Sequence, residues 1–552
     1  MRKIITLTLA LMTFGGVARA QEGFTKQIEV QKEYEVVVRS AERIESDVPL
    51  LDTTIVRPEL TYRIRPTAHI TNFTVAPLRP AVLSTAQWEA PRRLYLNVGA
   101  GVPWQSEADV YWTPVQTSRS MLAVWLNHEG VLGAKVENYD GERVSALALR
   151  NKAGVGYSTL LGKRTSLTTA LNYRGTVGNA YGGVGVGEGN RPTVSVHDVE
   201  LKANLAGDFG EKSTLAYDAN AMGLYALNGA GEDVWRFNFN FGLLGLDRIK
   251  GWLPNRVTLH YSGVQSRCIE PLDDYYDTSV TFVPEWSLRI GRWIPVEVMV
   301  GYDHMIYKGA KNSLNGVIAS LSTRYERYPF AVPYLTVAND VQTKVTRDGL
   351  WENPYQRMLP VDSRKVFLAE VGVKGSASRL TYKLSGATRW FSTYLFERIV
   401  EGEPLLGYGR SEGQRVWYAD AEVAWHANQQ LTVEGRVNFL SLGRAESATA
   451  EYRPRKWSVG GEAQWKPLAK LTLTTRCLWR SAMGVTKSTS DLRTTLIEMP
   501  SYVDLGVEAL WQHSERVGVW LRGDNLLNEP IYHWATYRSL GIGVRGGVSV
   551  AF

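Results

Sequence analysis

The chain has 552 residues and a formal net charge of +7, with 62 Lys and Arg set against 55 Asp and Glu, and it carries 18 Trp, 27 Tyr and 51 Gly. Charges of both signs are mixed along its length, so there is no dense basic stripe of the kind that tracks a nucleic-acid backbone, and no nucleic-acid partner is expected. Two cysteines, Cys268 and Cys477, make no disulfide framework, and the absence of about eighteen consecutive apolar residues beyond the N-terminus excludes helical membrane spans.

Residues 1–20 read as a secretory signal: Arg2 and Lys3, a short apolar stretch from Ile4 to Met12, then the small-x-small site Ala18-Arg19-Ala20. The mature chain is expected to begin at Gln21, with no cofactor. Residues 21–91 are rich in Pro, Arg, Glu and β-branched residues. Ile28 to Val38 alternates weakly, and Leu60 to Pro66 and Phe73 to Pro80 are extended pieces punctuated by proline. They are expected to form an N-terminal segment, periplasmic or associated with a barrel lumen.

From residue 92 to Phe552 the pattern becomes strand, turn, strand, loop. Trp417, Ala419, Ala421, Val423 and Trp425 share one face of a strand, and Tyr418, Asp420 and Glu422 share the other. The eight residues between the two Trp span roughly 20 Å of bilayer at about 3.3 Å per residue and a tilt near 40°, close to the height of an outer-membrane apolar band. The design recurs with Trp457 and Trp465, with Trp479 and with Trp511. These six Trp are the predicted membrane-interface aromatics. The fold class is therefore all-β: a transmembrane antiparallel β-barrel in the lipid of the outer membrane of a Gram-negative-type envelope.

Short turns are predicted around Thr117, Lys163, Gly210, Pro254, Pro295, Pro329, Ser378, Asn428, Pro467 and Ser514. Between them fall longer segments: Gly178–Pro192, Ser266–Tyr275, Thr343–Ser363, Val400–Gln414 and Val485–Pro500. Short periplasmic turns and long external loops are the barrel pattern, and the turns pair the strands into about 22. In the last strand Val548, Val550 and Phe552 share a face and end in a C-terminal aromatic, which resembles the signal read by the barrel-assembly machinery.

Few residues suggest chemistry. Gly183 to Gly189 lacks the spacing of a phosphate loop and reads as a flexible external loop. Asp273, Asp274 and Asp277 are weak candidates for a surface cation on a loop. The eight His are scattered; His128 beside Glu129 has no third ligand in sequence, and His260, His304 and His426 fall within strands. Lumen-side Arg436, Arg476, Arg480 and Arg522 beside Glu434, Glu462 and Glu508 read as cross-strand ladders of opposite charge. No catalytic set emerges and no enzyme is expected.

Arg522-Gly523-Asp524-Asn525-Leu526-Leu527-Asn528 resembles the penultimate-strand pattern of TonB-dependent receptors, with Asn525, Leu526, Leu527 and Asn528 as the receptor-like motif. Tyr62-Arg63-Ile64-Arg65-Pro66 and Leu96-Asn97-Val98-Gly99-Ala100-Gly101 resemble the opening of such barrels. The resemblance implies a receptor-like barrel over 92–552. Residues 21–91 hold no plug pattern and no TonB box, so a plugless member is expected. It would bind or pass a nutrient or other substrate with a partner such as a surface lipoprotein. The alternative is a scaffold subunit of a larger outer-membrane assembly or secretion complex.

Overall fold

The computed structural model describes residues 93–186, 192–210, 213–229, 232–268, 273–307, 316–344, 353–356, 362–489 and 493–552. The expectations for the signal and for residues 21–91 lie outside the described residues. Twenty-two strands form a closed antiparallel ring. Each pairs with its ring neighbours, and the first strand, Leu94–Val102, pairs both with Gln105–Gln116 and with the last, Gly543–Ala551. Closure leaves no edge strand, so the backbone amides and carbonyls are satisfied within the ring as a bilayer requires.

The alternation read from sequence is what sorts the two faces. Trp417, Trp425, Trp457, Trp465, Trp479 and Trp511 are all exposed on the outer face. On the other face of Gly407–His426, Asp420 accepts from Asn438 and Glu422 from Arg436 across the pair with Leu431–Leu442. Trp425, Trp465 and Trp511 lie toward one end of the ring, and Trp417, Trp457 and Trp479 toward the other.

One end carries the short turns and both termini of the ring. Thr117, Lys163, Gly210, Pro254, Pro329, Ser378, Asn428 and Ser514 fall in its turns. Two predicted turns are displaced. Pro295 is the second residue of strand Ile294–Tyr307, and the turn lies at 291–293, where Gly291 takes φ 63°. Pro467 sits within Trp457–Leu468 at a register shift between Trp465 and Leu468. A proline without its amide is tolerated at a strand start or a bulge, so it marked the neighbourhood of the turn and not its position.

At the other end two predicted loops are corrected. Strands Arg256–Cys268 and Asp273–Ile290 pair as far as Asp273 opposite Cys268, and Leu380–Val400 and Gly407–His426 pair as far as Arg398 opposite Gly407. Residues 266–268, 273–275 and 407–414 are thus strand. A strand of 21 residues such as Leu380–Val400 is far longer than the roughly 25 Å apolar band demands; its alternation continues into the aqueous zone, where the residues look like loop. Asp273, Asp274 and Asp277 accordingly lie on a strand, not on a loop.

The seam where the ring closes has its own packing. Trp520, on strand Val517–Asp524, is 6% exposed and faces the lumen. Its ring lies where a Cβ on Gly547 or Gly99 would stand, at 2.5 and 2.4 Å, so it spans the last and first strands. Its indole N–H donates to Asn97 Oδ1 at 2.6 Å. Trp520→Ala empties that site and leaves the Asn97 oxygen without its donor. The expected loss is about 3–5 kcal/mol, read as a lower urea midpoint for unfolding in lipid vesicles; a midpoint equal to the parent's would show that the seam does not depend on this ring.

Candidate functional site: the lumen and its loop core

The lumen wall near the seam is a network of paired charges. Glu462 stands opposite Arg476 with an N–O distance of 3.2 Å, and Glu508 opposite Arg522 at 2.9 Å. The chain of pairs crosses the seam: Arg522 reaches Glu107 at 3.1 Å, and Arg545 reaches Glu107 at 3.3 Å, Glu129 at 3.4 Å and Asp524 at 2.8 Å. Two details differ from the ladder read in sequence. Arg436 pairs with Glu422, and Glu434 stands opposite Glu462, a like charge. Arg480 stands opposite Tyr502 at the long-loop end of its strand.

Above this wall the long loops and the strand ends that carry them form a buried apolar core. Val136, Val144, Ala146, Tyr181, Val184, Tyr355, Ile399, Leu406, Met483, Val485, Met499, Ala535 and Tyr537 are buried together. Strands Arg143–Leu161 and Leu380–Val400 are the fourth and fifteenth of the twenty-two, which puts them half a circumference apart. A ring of this size is roughly 40 Å across at about 4.8 Å between strands tilted near 40°. Side chains alone cannot cross that width, so the loops carry the contact from wall to wall.

The terminal connection, residues 525–542, is central to that contact. Asn525 and Asn528 take φ 46° and 54°, the left-handed region that Asn tolerates best after Gly. The Asn525 amide donates to the Glu529 and Leu540 carbonyls at 2.9 and 3.0 Å, and its Oδ1 accepts the Glu529 N–H at 3.0 Å. Asn528 Oδ1 accepts the Ile542 N–H at 3.3 Å and stands 2.5 Å from where a Cβ on Gly541 would lie. The receptor-like motif therefore pins both feet of the connection.

Between those feet, Tyr532–Trp534 and Tyr537–Arg538 form a small hairpin whose tip, Ala535 and Thr536, is 0% and 1% exposed. Thr536 holds φ 66°, a strained conformation for a β-branched residue that the surrounding packing must over-determine. The hairpin is tied to opposite walls. The Ala535 N–H donates to Glu397 Oε2 at 3.2 Å, and the Arg538 guanidinium meets Glu137 at 3.0 Å. Tyr537 donates to the Pro404 carbonyl at 2.7 Å, and Tyr181 to the Arg538 carbonyl at 2.9 Å. Tyr355 and Tyr537 stack at 4.0 Å, with Tyr181 edge-on to both. Neighbouring loops join directly, as in the Gly402 N–H to the Val184 carbonyl at 3.0 Å and Lys487 to Glu401 at 2.7 Å.

The predicted residues distribute as follows. Ala180, Tyr181, Val184 and Val186 are buried, so the glycine-rich stretch, described as far as 186, is packed into the core and corrects the reading of a flexible loop. His128 bonds Ser106 and Asn151, while Glu129 bonds Arg545, so the two neighbours serve separate networks. His260 bonds Asn240, and His426 bonds Thr432. Cys477 is a free thiol. Among the described residues no three His, Cys, Asp or Glu are grouped to hold a metal; the side chains of Asp273, Asp274 and Asp277 lie outside them. Val548 and Phe552 are exposed on the outer face, and the Phe552 carbonyl accepts the Arg93 N–H at 2.7 Å. The residues missed from sequence are those of the loop core. Their signal was the density of Tyr and Trp at 532–537, more than a solvated loop needs.

No protein-family model matches the sequence, and no curated protein matches it. Solved structures do. The chain is similar to the ferric enterobactin receptor PfeA of Pseudomonas aeruginosa, with a TM-score of 0.63 and 9% identity over 84% of this chain and 82% of that one. It is similar to FpvA of P. aeruginosa in complex with pyoverdine and iron, with a TM-score of 0.62 and 12% identity over 84% and 72%. It is similar to the siderophore receptor PirA from Acinetobacter baumannii, with a TM-score of 0.65 and 8% identity over 84% and 81%. The barrel thus has the fold of these siderophore receptors.

His533 reports on the integrity of the core. It lies in the hairpin, edge-on to Tyr502 at 6.2 Å and beside Trp534. Burial first, and then the positive Arg480, Arg150 and Arg455, push its pKa down to about 4. A histidine whose folded pKa is depressed adds stability that is full above its unfolded pKa near 6.5 and is lost as pH falls toward 4. Amide exchange at 531–540, corrected for intrinsic rate, should therefore gain little between pH 8 and 7 and accelerate between pH 6.5 and 4.5. His533→Phe should flatten that dependence, and an unchanged pH profile in the variant would remove His533 as its source.

Proposed function

We propose that this chain is a receptor-type outer-membrane barrel that binds or passes a nutrient or other substrate together with a partner protein, and that its own loops seal the lumen in place of a full plug domain. The observation that carries the reading is the loop core: buried residues from opposite walls meet through the 525–542 connection. A barrel this wide would leak small solutes if open, and a dry aromatic core supplies the barrier that a plug supplies elsewhere. The six exposed Trp act as the two membrane collars, and Val548, Val550 and Phe552 as the assembly signal. Residues 21–91 act on the periplasmic side or within the lumen, and a surface lipoprotein is the partner that the long-loop face would meet.

The density of the same core supports a second reading, a non-transporting scaffold subunit of a larger outer-membrane complex. Planar-bilayer recording tests the seal, and flux in vesicles distinguishes the two readings. The full chain should be silent or nearly so, and removing residues 532–538 should produce steady ion conductance. A steady conductance from the parent protein would contradict a self-sealed lumen. Substrate-dependent flux in vesicles supports the transport reading; its absence, with stable co-purification of other envelope proteins, supports the scaffold.

A further inference from the structure

The short-turn end of the ring carries one arc unlike the rest. Three turns follow one another along the rim: residues 245–255, 291–293 and 325–331. The Trp286 indole donates to the Trp252 carbonyl at 3.3 Å, and the Glu326 N–H to the Trp293 carbonyl at 2.8 Å. The arc exposes large apolar rings, Trp252 at 73% and Phe330 at 54% among them. A ring half in and half out of water is at home at the headgroup level of a membrane.

The cations of the arc fall into two sets. Arg289 and Arg324 are neutralised by Glu326 and Glu297. Arg248, Lys250, Arg292 and Arg327 are exposed and have no ion pair among the described residues. Two of them are held in place: the Arg292 guanidinium carbon lies 4.8 Å from the centroid of the Trp293 ring, and that of Arg327 lies 5.2 Å from the centroid of Tyr328. Arg327 also bonds the Tyr325 side chain. A guanidinium held over an interfacial ring can turn its remaining N–H groups to a lipid phosphate.

We propose that this rim binds the headgroup of an acidic phospholipid, with Arg248, Lys250, Arg292 and Arg327 facing its phosphate charge and Trp252 and Phe330 beside its acyl chains. The end that carries short turns and both termini is the periplasmic end, so the lipid comes from the inner leaflet, where phospholipid is the available anion. Net negative charge is the distinguishing chemistry. A zwitterionic headgroup offers a phosphate but cancels it with its own cation, whereas each unpaired Lys or Arg near the surface favours a headgroup that remains negative.

The test uses the full chain, purified in an uncharged detergent and titrated with phosphatidylglycerol and phosphatidylcholine under native mass spectrometry. The parent should retain phosphatidylglycerol at least five-fold over phosphatidylcholine. Replacing Arg248, Lys250, Arg292 and Arg327 together by Gln should bring that ratio below two. The pairs R248Q/K250Q and R292Q/R327Q should each lower it and carry the test if the four-fold variant does not fold. Heat-dependent gel mobility checks folding. A control removing as many cations from the rest of the same rim, at Arg119, Lys163, Arg164 and Arg516, should keep the preference. A parent that does not discriminate, or a control that loses as much as the arc variants, overturns the proposal.

Discussion

A chain that crosses a bilayer as strands has no water to satisfy its amides, so each strand must find a partner on both sides. That demand closes Leu94–Val102 onto Gly543–Ala551. Closure at twenty-two strands encloses a lumen too wide for wall side chains to fill. The loop core answers a problem that the backbone hydrogen bonds create, which is why it draws residues from around the ring and not from one hairpin. The paired charges of the wall answer another consequence: a polar lumen needs its ions matched, and matching Glu107, Arg522 and Arg545 across the last and first strands also ties the closure.

Most of the barrel was legible because its signal is local and periodic. Alternation identifies a strand wherever one face meets lipid, and the strand count and most turn positions follow from it. Proline misled by a few residues at Pro295 and Pro467, because it tolerates a strand start or a bulge as readily as a turn. The loops at 266–275 and 400–414 were read as longer than they are, since an aqueous strand lacks the apolar face by which a membrane strand is recognised.

The loop core was not legible, for a different reason. Val136, Tyr181, Tyr355, Ile399, Val485 and Tyr537 are far apart in sequence, and no local pattern pairs the stretches that carry them. Nothing local says that they meet. The terminal motif was recognised by resemblance, yet its physical task became visible only in the structure, where Asn525 and Asn528 hold left-handed turns at the feet of the connection that spans the lumen. Tertiary packing of loops is the link that a reading of strands leaves out.

The most direct measurement is proximity across the lumen in the native membrane. With Cys268 and Cys477 replaced by Ser, cysteines at 185 and 401 are treated on intact cells with a short bifunctional maleimide. A Cβ on Gly185, between the fifth and sixth strands of the ring, would lie 3.4 Å from Glu401 Cγ, just after the fifteenth, so the two positions should cross-link efficiently within one chain, while the pair 185 and 515, with 515 on the turn that precedes strand Val517–Asp524, should not. Absence of a 185–401 cross-link, with both thiols still labelled singly, would mean that the loops do not meet across the barrel and that the lumen is sealed, if at all, by something else.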